Sequence, residues 1–373
     1  MTTDLFIGYL CSVCGADYAP HEVQYICPKD GGNLTVVQDF AALRQQVQAA
    51  DIINSSEASL WRYLPLLPVS EPGGHATPLH AAGWTPTYRP PLLQQQTGLR
   101  ALWVKDESRN PTASCKDRAS AVVVARAREI GAEVVVTAST GNAGAALAGM
   151  AAAAAHQAVI FAPKSAPPAK IAQLLVFGAQ VYLVDGNYDQ AFDLSIKAAE
   201  AFGWYCRNTG FNPFTAEGKK TAAYEIWVQV SVKRKLNKPL CVFVSVGDGN
   251  IISGLHKGFK DLQALGWLEE IPRIFGVQSV GSAAIANAFK NNTEEISSVQ
   301  ANTLADSISV DMPRDGLRAL RAATHTDGAY ITVSDESILS AIARLGKEGI
   351  FAEPAAATAF SGLQKAIESG LIT

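Results

Sequence analysis

"EVVVTASTGNAGAALAGMAAAAAHQAVIFAPK", residues 133 to 164, decides the fold. A short run of β-branched residues, "EVVVTAS", reads as a strand. "GNAGAALAGMAAAAAH" is rich in the best helix former and reads as a helix. "AVIFAPK" is apolar again and reads as a second strand. Strand, helix and strand in so short a space describe a crossover between parallel strands. The pattern continues outward. "ASAVVVARAREIGA" precedes it as a helix, and "ALWVKDE" before that reads as a strand. "PAKIAQLLVFGA", "QVYLVDG" and "YDQAFDLSIKAAEAFG" follow as helix, strand and helix, with "LCVFVSVGDG" a later strand. The expected class is therefore α/β, with parallel-type sheets flanked by helices on both faces.

Composition agrees with a large globular chain. Its 373 residues are 48% hydrophobic and 17% charged, with 30 glycines, which predicts two main domains. A net charge of −3 implies no polyanionic partner, so no nucleic acid is expected. "MTTDLFIGYL" has no charged leader before an apolar core, and the alanine-rich run is too weakly apolar for a membrane span. Six cysteines are too few for a disulfide scaffold. These readings point to a cytoplasmic protein without membrane partners.

Three loops are candidates for chemistry, because ligands of parallel sheets bind where strands lead into helices. "NPTASCKDR" (110 to 118) places Lys116 at a loop-to-helix junction, as a solvated charge or as an amine held over a reactive carbon. "TASTGNAGAA" sets Ser139, Thr140, Gly141 and Asn142 at the head of the alanine-rich helix, where small residues and a helix N-terminus suit an anion. "VSVGDGNIISG" sets Gly247, Asp248, Gly249 and Asn250 after a buried strand, a phosphate cradle of the same logic. An amine, a carboxylate-sized pocket and a phosphate pocket together suit a cofactor with an aldehyde and a phosphate.

The same stretches resemble threonine synthases and related fold-type II pyridoxal-phosphate enzymes, whose architecture is the two-domain, tryptophan-synthase-β-like one. "NPTASCKDR" is similar to their N-P-T-G-S-F-K-D-R motif, "ASTGNAGAALA" to their A-S-T-G-N-T loop, and "VSVGDGNIISGLHKGF" to their phosphate loop. "PAKIAQLLVFGAQVYLVDGNYDQA", "NPFTAEGKKTAAYEI", "TLADSISVDMPRDGLRAL" and "GIFAEPAAATAFSGL" extend the likeness, in order, across roughly residues 60 to 370. The resemblance implies pyridoxal 5'-phosphate bound covalently by Lys116, which would also shuttle protons at the substrate's carbons. Asn142 would reach the cofactor's phenolic oxygen. Ser139, Thr140, Gly141 and Asn142 would hold the substrate carboxylate, and Gly247, Asp248, Gly249 and Asn250 the cofactor phosphate. Asp117 and Arg118 read as structural. The implied reaction turns O-phospho-L-homoserine and water into L-threonine and phosphate, in a homodimer. The alternatives are β-replacement or β-elimination on another O-activated amino acid such as O-phosphoserine, and a catalytically inert cofactor-binding relative.

Two positions depart from the family. Thr215 stands where an arginine usually grips the substrate phosphate, and Ala143 where threonine follows the site asparagine. Arg207, Lys219 and Lys220 lie close enough in sequence to compensate. The strand whose serine or threonine faces the cofactor's ring nitrogen would follow "AIESGLIT".

At the other end, Cys11 and Cys14 form C-x-x-C before Gly15, with twelve residues separating Cys14 from Cys27 and Asp30 where a fourth cysteine is expected. This resembles the zinc ribbon ahead of some threonine synthases. Cys11, Cys14, Cys27 and Asp30 are the expected ligands of a structural Zn2+, with His21 the rival for the fourth place. His75, His80, His256 and His325 show no partner at a diagnostic spacing. The expected division is a ribbon-like segment 1–40, a linker or arm 41–75, a large cofactor-binding domain of 76–121 with 215–373, and a small α/β domain 122–214.

Overall fold

A computed structural model describes residues 5–233 and 240–372. They form two compact units: residues 1–85 with 109–222, and residues 86–108 with 223–373. This grouping differs from the expected one chiefly at 109–121. The helix Lys116–Glu129 is continuous, so a boundary after residue 121 would cut it.

The first unit is built on a four-stranded parallel sheet. Its order across the sheet is Gln180–Val184, Gln157–Pro163, Val134–Ala138 and Tyr205–Cys206. Val134–Ala138 is buried at every position, as a parallel strand covered on both faces must be. Side chains alternate between those faces. Val135 and Ile160 pack with the helices Lys116–Glu129 and Asn142–Ala153. Val134, Val136, Val159 and Phe161 pack with Ala191, Phe192, Ala198 and Ala199 of the helix Tyr188–Phe202. That helix starts at a capping box of Asn187 and Gln190 and ends at left-handed Gly203.

The ribbon segment belongs to the same unit. Phe6–Cys11 pairs antiparallel with Asp17–Tyr18 on one side and Leu34–Gln38 on the other. Phe6, Tyr9, Leu34 and Val36 join the core that holds Val135 and Ile160. Residues 41–75 are not a loose linker. Leu60, Tyr63, Leu66, Leu67 and Val69 are buried, because an apolar run this dense is costly to leave in water.

The second unit has a three-stranded parallel sheet, Cys241–Ser245, Arg273–Ser279 and Ala329–Val333, with the middle strand the most buried. Phe275, Val277, Ile331 and Val333 pack against the helices Asp335–Gly346 and Pro354–Glu368. Of the strand expected over "ALWVKDE", only Val104–Lys105 forms, paired antiparallel with Thr87–Tyr88. Trp103 is only half-buried there, and the chain turns into a short 3-10 helix at Glu107–Arg109, so the pairing stops.

Candidate active site

The lysine loop is shaped by its side chains. Buried Asp117 accepts from the Thr112 amide and hydroxyl, closing the turn over "PTASC". Asn110 Oδ1 accepts from the Gly83 N–H at 2.8 Å. Arg118, also buried, donates to Thr221 Oγ1 at 3.0 Å and to Thr85 Oγ1 at 3.2 Å. Asp117 and Arg118 are thus the ties the sequence suggested. The helix Phe214–Ile226 presses against this point, since a Cβ on Gly218 would sit 2.1 Å from the Arg118 carbonyl oxygen. Gly149 of the alanine-rich helix leaves the same kind of room for Thr112. Ala113, where the family motif has glycine, is held at φ +59°.

Lys116 opens the helix Lys116–Glu129 and is half-buried. Its amine makes no hydrogen bond or ion pair among the described residues, although the ties around it are dense. Lys105, the nearest lysine before it, is paired with Glu225 at 2.5 Å and Gln229 at 2.9 Å. One expectation needs correcting. The lysine loop does not follow a strand of either parallel sheet, for the strand before it is the antiparallel Val104–Lys105.

The loop after Val134–Ala138 lies in the same unit. Ser139 Oγ accepts from the Gly141 N–H at 3.2 Å, and Gly141 caps the helix that Asn142 opens. No Cβ contact is found around Gly141, and Thr140, Gly141 and Asn142 are half-buried, so the helix N-terminus stays approachable. Asn208 anchors the strand end. Its Oδ1 accepts from the Ala138 N–H at 2.8 Å and the Thr137 hydroxyl at 2.9 Å.

Of the three cations expected to replace an arginine at 215, two are accounted for. Buried Lys220 pairs with Glu217 at 2.6 Å and donates to Gln38, and Lys219 is buried on the same helix. Arg207 differs. Fully buried, it donates to Thr209 Oγ1 at 2.6 Å and Ser120 Oγ at 3.3 Å, and its Nη2 has no partner among the described residues. Burial pushes its guanidinium down to about 10, so it stays charged at neutral pH. Thr215 spends its hydroxyl on the Asn212 carbonyl.

In the second unit the glycine loop is shaped by its main chain. Gly249 sits at φ +91° and caps the helix Asn250–Ala264. A Cβ there would lie 2.6 Å from both Ala319 Cβ and the Asp315 carbonyl oxygen, and one on Gly247 would lie 2.8 Å from Ile308 Cα. Asp248 accepts from the Asp315 and Arg314 amides, and buried Asn250 donates to Asp315 Oδ2 at 2.7 Å. Asp315 is itself paired with Arg318. The Gly247 and Gly249 N–H groups donate to no acceptor among the described residues. Two such amides at the head of a fifteen-residue helix are the kind of donors that suit an anion.

The N-terminal segment brings Cys11, Cys14, Cys27 and Asp30 together, with one ligand atom from each within 4.8 Å of the others. His21 is not in that group. Cys14 Sγ and Cys27 Sγ are 3.7 Å apart, and Cys11 Sγ is 3.4 Å from Asp30 Oδ1. Tetrahedral zinc–thiolate bonds of about 2.3 Å separate two sulfurs by about 3.8 Å, so the donor set fits that ion. The Gly32 N–H, 2.8 Å from Asp30 Oδ1, is the main reason this carboxylate is held down to about 2.

A second cluster escaped the sequence. Glu71, His75 and His80 also bring their donor atoms within 4.8 Å. Glu71 and His75 sit four apart, a pairing that means little without the chain path that returns His80 to them.

A family profile described as "Pyridoxal-phosphate dependent enzyme" matches residues 79–373. The chain is 36% identical to threonine synthase of Methanocaldococcus jannaschii, over 97% of this chain and 88% of that one. It is 35% identical to threonine synthase of Methanosarcina acetivorans, over 97% and 87%. Among solved structures it is similar to processed threonine deaminase isoform 2 from Solanum lycopersicum, with TM-score 0.68 and 23% identity over 82% of this chain and 85% of that one. Maize serine racemase aligns with TM-score 0.67 and 19% identity, over 80% and 88%. The last two speak for the fold alone.

Proposed function

Because this chain belongs to the pyridoxal-phosphate-dependent enzymes, and among them to the threonine synthases, we infer that it is a lyase making L-threonine and phosphate from O-phospho-L-homoserine and water. The observation that carries the reading is the amine of Lys116, held at a rigid junction with no acid or acceptor to occupy it. A neutral, unpaired amine is what attack on an aldehyde requires. The residues present fit the cofactor. Lys116 would hold its aldehyde, Asn142 its phenolic oxygen, and Gly247, Asp248, Gly249 and Asn250 its phosphate. When bound, the ring takes up the carbanion charge that develops on the substrate, which no side chain here supplies.

The remaining work falls to the protein. Ser139, Thr140, Gly141 and Asn142 bind the substrate carboxylate at the head of the alanine-rich helix. Lys116, once free, moves protons at the substrate's carbons. The γ-carbon–oxygen bond breaks and phosphate leaves; the water's hydroxyl adds at the β-carbon, and the γ-carbon gains a proton. The charge of Arg207, lying under Thr209, compensates the leaving phosphate in place of an arginine at 215. The ribbon holds one structural Zn2+ through Cys11, Cys14, Cys27 and Asp30. A cytoplasmic homodimer without nucleic-acid partners completes the reading; no described helix is long and apolar enough to cross a membrane.

Thr215 and Ala143 favour a second reading, a shorter substrate such as O-phosphoserine. The test compares kcat/KM for O-phosphohomoserine, O-phosphoserine and their O-acetyl analogues. A tenfold preference for the phosphohomoserine, about 1.4 kcal/mol, is expected. The same preference for the substrate one methylene shorter overturns the assignment, and failure on all of them in the cofactor-loaded protein points to an inert relative.

A further inference from the structure

We propose that Glu71, His75 and His80 form a second metal site, for a divalent transition ion of the zinc class, separate from the cysteine cluster. Glu71 Oε1 lies 3.6 Å from His75 Nε2 and 3.7 Å from His80 Nε2. Bonds of about 2.0–2.2 Å to nitrogen and oxygen set neighbouring donors of a tetrahedral ion about 3.4 Å apart, so closure needs only small side-chain movements. The Gly73 carbonyl oxygen lies 3.1 Å from His80 Nε2, a hydrogen bond that ligation would replace.

An independent observation concerns the other side of the His80 ring. This side chain is only 9% exposed, and its Nδ1 faces Glu57 Oε2 at 3.7 Å. Glu57 is in turn fixed by the Ser59 hydroxyl, 2.6 Å from its Oε1. A carboxylate standing behind one ring nitrogen is the outer partner that metal-binding histidines commonly have. Arg128 reaches this loop, yet its Nη1 donates to the Pro72 and Ala154 carbonyls rather than to either acid.

The ion would staple residues 71–80 to themselves. That segment is joined to the end of the lysine helix through Ser70 and Glu129, and through Pro72 and Arg128, and to Trp61 through the Leu79 carbonyl. Occupancy therefore stiffens the far end of the helix that Lys116 opens. Imidazole and carboxylate donors suit zinc, so the same ion can occupy both sites.

The test uses the full-length, cofactor-loaded protein, stripped with chelator and titrated with Zn2+ by calorimetry, with metal counted by mass spectrometry. His75 is 75% exposed, so His75→Ala should fold normally. The wild type should bind one more zinc per chain than His75→Ala, and Cys14→Ser should keep that extra equivalent. Glu57→Gln should keep the count and weaken this equivalent about 10- to 100-fold. Equal zinc uptake at equal affinity by wild type and His75→Ala overturns the site and leaves His80 as a histidine between two acids. A loss in His75→Ala of the thiolate-to-metal absorption seen with Co2+ would also overturn it, because the variant would then be acting on the cysteines.

Discussion

The lysine loop and the glycine loop solve one problem by opposite means. Both precede a helix, and both must hold a shape that a free chain would not keep. Around Lys116 the shape is made by side chains: Asp117, Arg118 and Asn110 are buried and engaged, and the amine they surround is left unoccupied. Around Gly249 it is made by backbone, with a left-handed residue packed too tightly for any Cβ and amides left without acceptors. The first offers a reactive atom and the second a field of N–H groups. Substitutions should therefore hurt chemistry at the first and conformation at the second.

The largest effect expected is at Lys116. Lys116→Ala should lower kcat by roughly 10³-fold or more with little change in thermal stability. Borohydride reduction of the wild type should fix the cofactor on Lys116, and a label on Lys105 or Lys170 would break the comparison. Acid offers the next test. The helix behind the glycine loop contains His256, which burial, with Lys260 and His325, holds down to about 4, whereas Lys116–Glu129 contains no histidine. Above about pH 6.5 the histidine is neutral folded or unfolded and contributes nothing. Below that the unfolded chain takes up a proton the folded one refuses, so stability falls until about pH 4. The loss totals about 3 kcal/mol, readable as a drop in urea midpoint that His256→Gln should flatten.

Gly249→Ala comes third. The backbone conformation alone costs about 1–2 kcal/mol, and the overlap with Ala319 and Asp315 adds to it. A lower melting temperature and weaker cofactor binding should appear together; weaker binding at unchanged stability would mean the loop had been misread. The smallest effect has the opposite sign. Ala113 occupies a left-handed position inside the lysine loop, so Ala113→Gly should raise stability by about 1 kcal/mol without altering the Lys116 label. A fall in stability would show that the loop draws its shape from the Ala113 methyl as well.

Much of this was legible in the sequence because parallel strands buried on both faces spell continuous apolar runs. Val134–Ala138 announces itself in that way. The loops after Val134–Ala138 and Cys241–Ser245 could be picked out as well, since glycine and small residues after an apolar run have few other uses. What stayed hidden depends on distance in space. "ALWVKDE" is apolar enough for a strand but finds only two residues to pair with. The dense packing of residues 60–69 was obscured by prolines that read as a linker. The occupation of Lys220 by Gln38 spans 182 positions and leaves no trace in local pattern. Glu71, His75 and His80 lacked a motif because His80 returns to them through the turns at Gly73 and Gly74, both at positive φ.

The ribbon's docking has a consequence for how this chain can be cut. Tyr25 Oη accepts from the Cys206 N–H at 2.9 Å, its ring stacks on Phe211, and the Asn33 amide donates to the Gly210 carbonyl. Removing the first forty residues would strip a main-chain donor of its acceptor beside Arg207 and Asn208, and would bare Phe214, which now packs against Phe6. The cysteine-bearing segment is thus no detachable tag. An engineer seeking a minimal version of this protein would do better to graft a replacement for Tyr25 and Phe6 than to start the chain at residue 41.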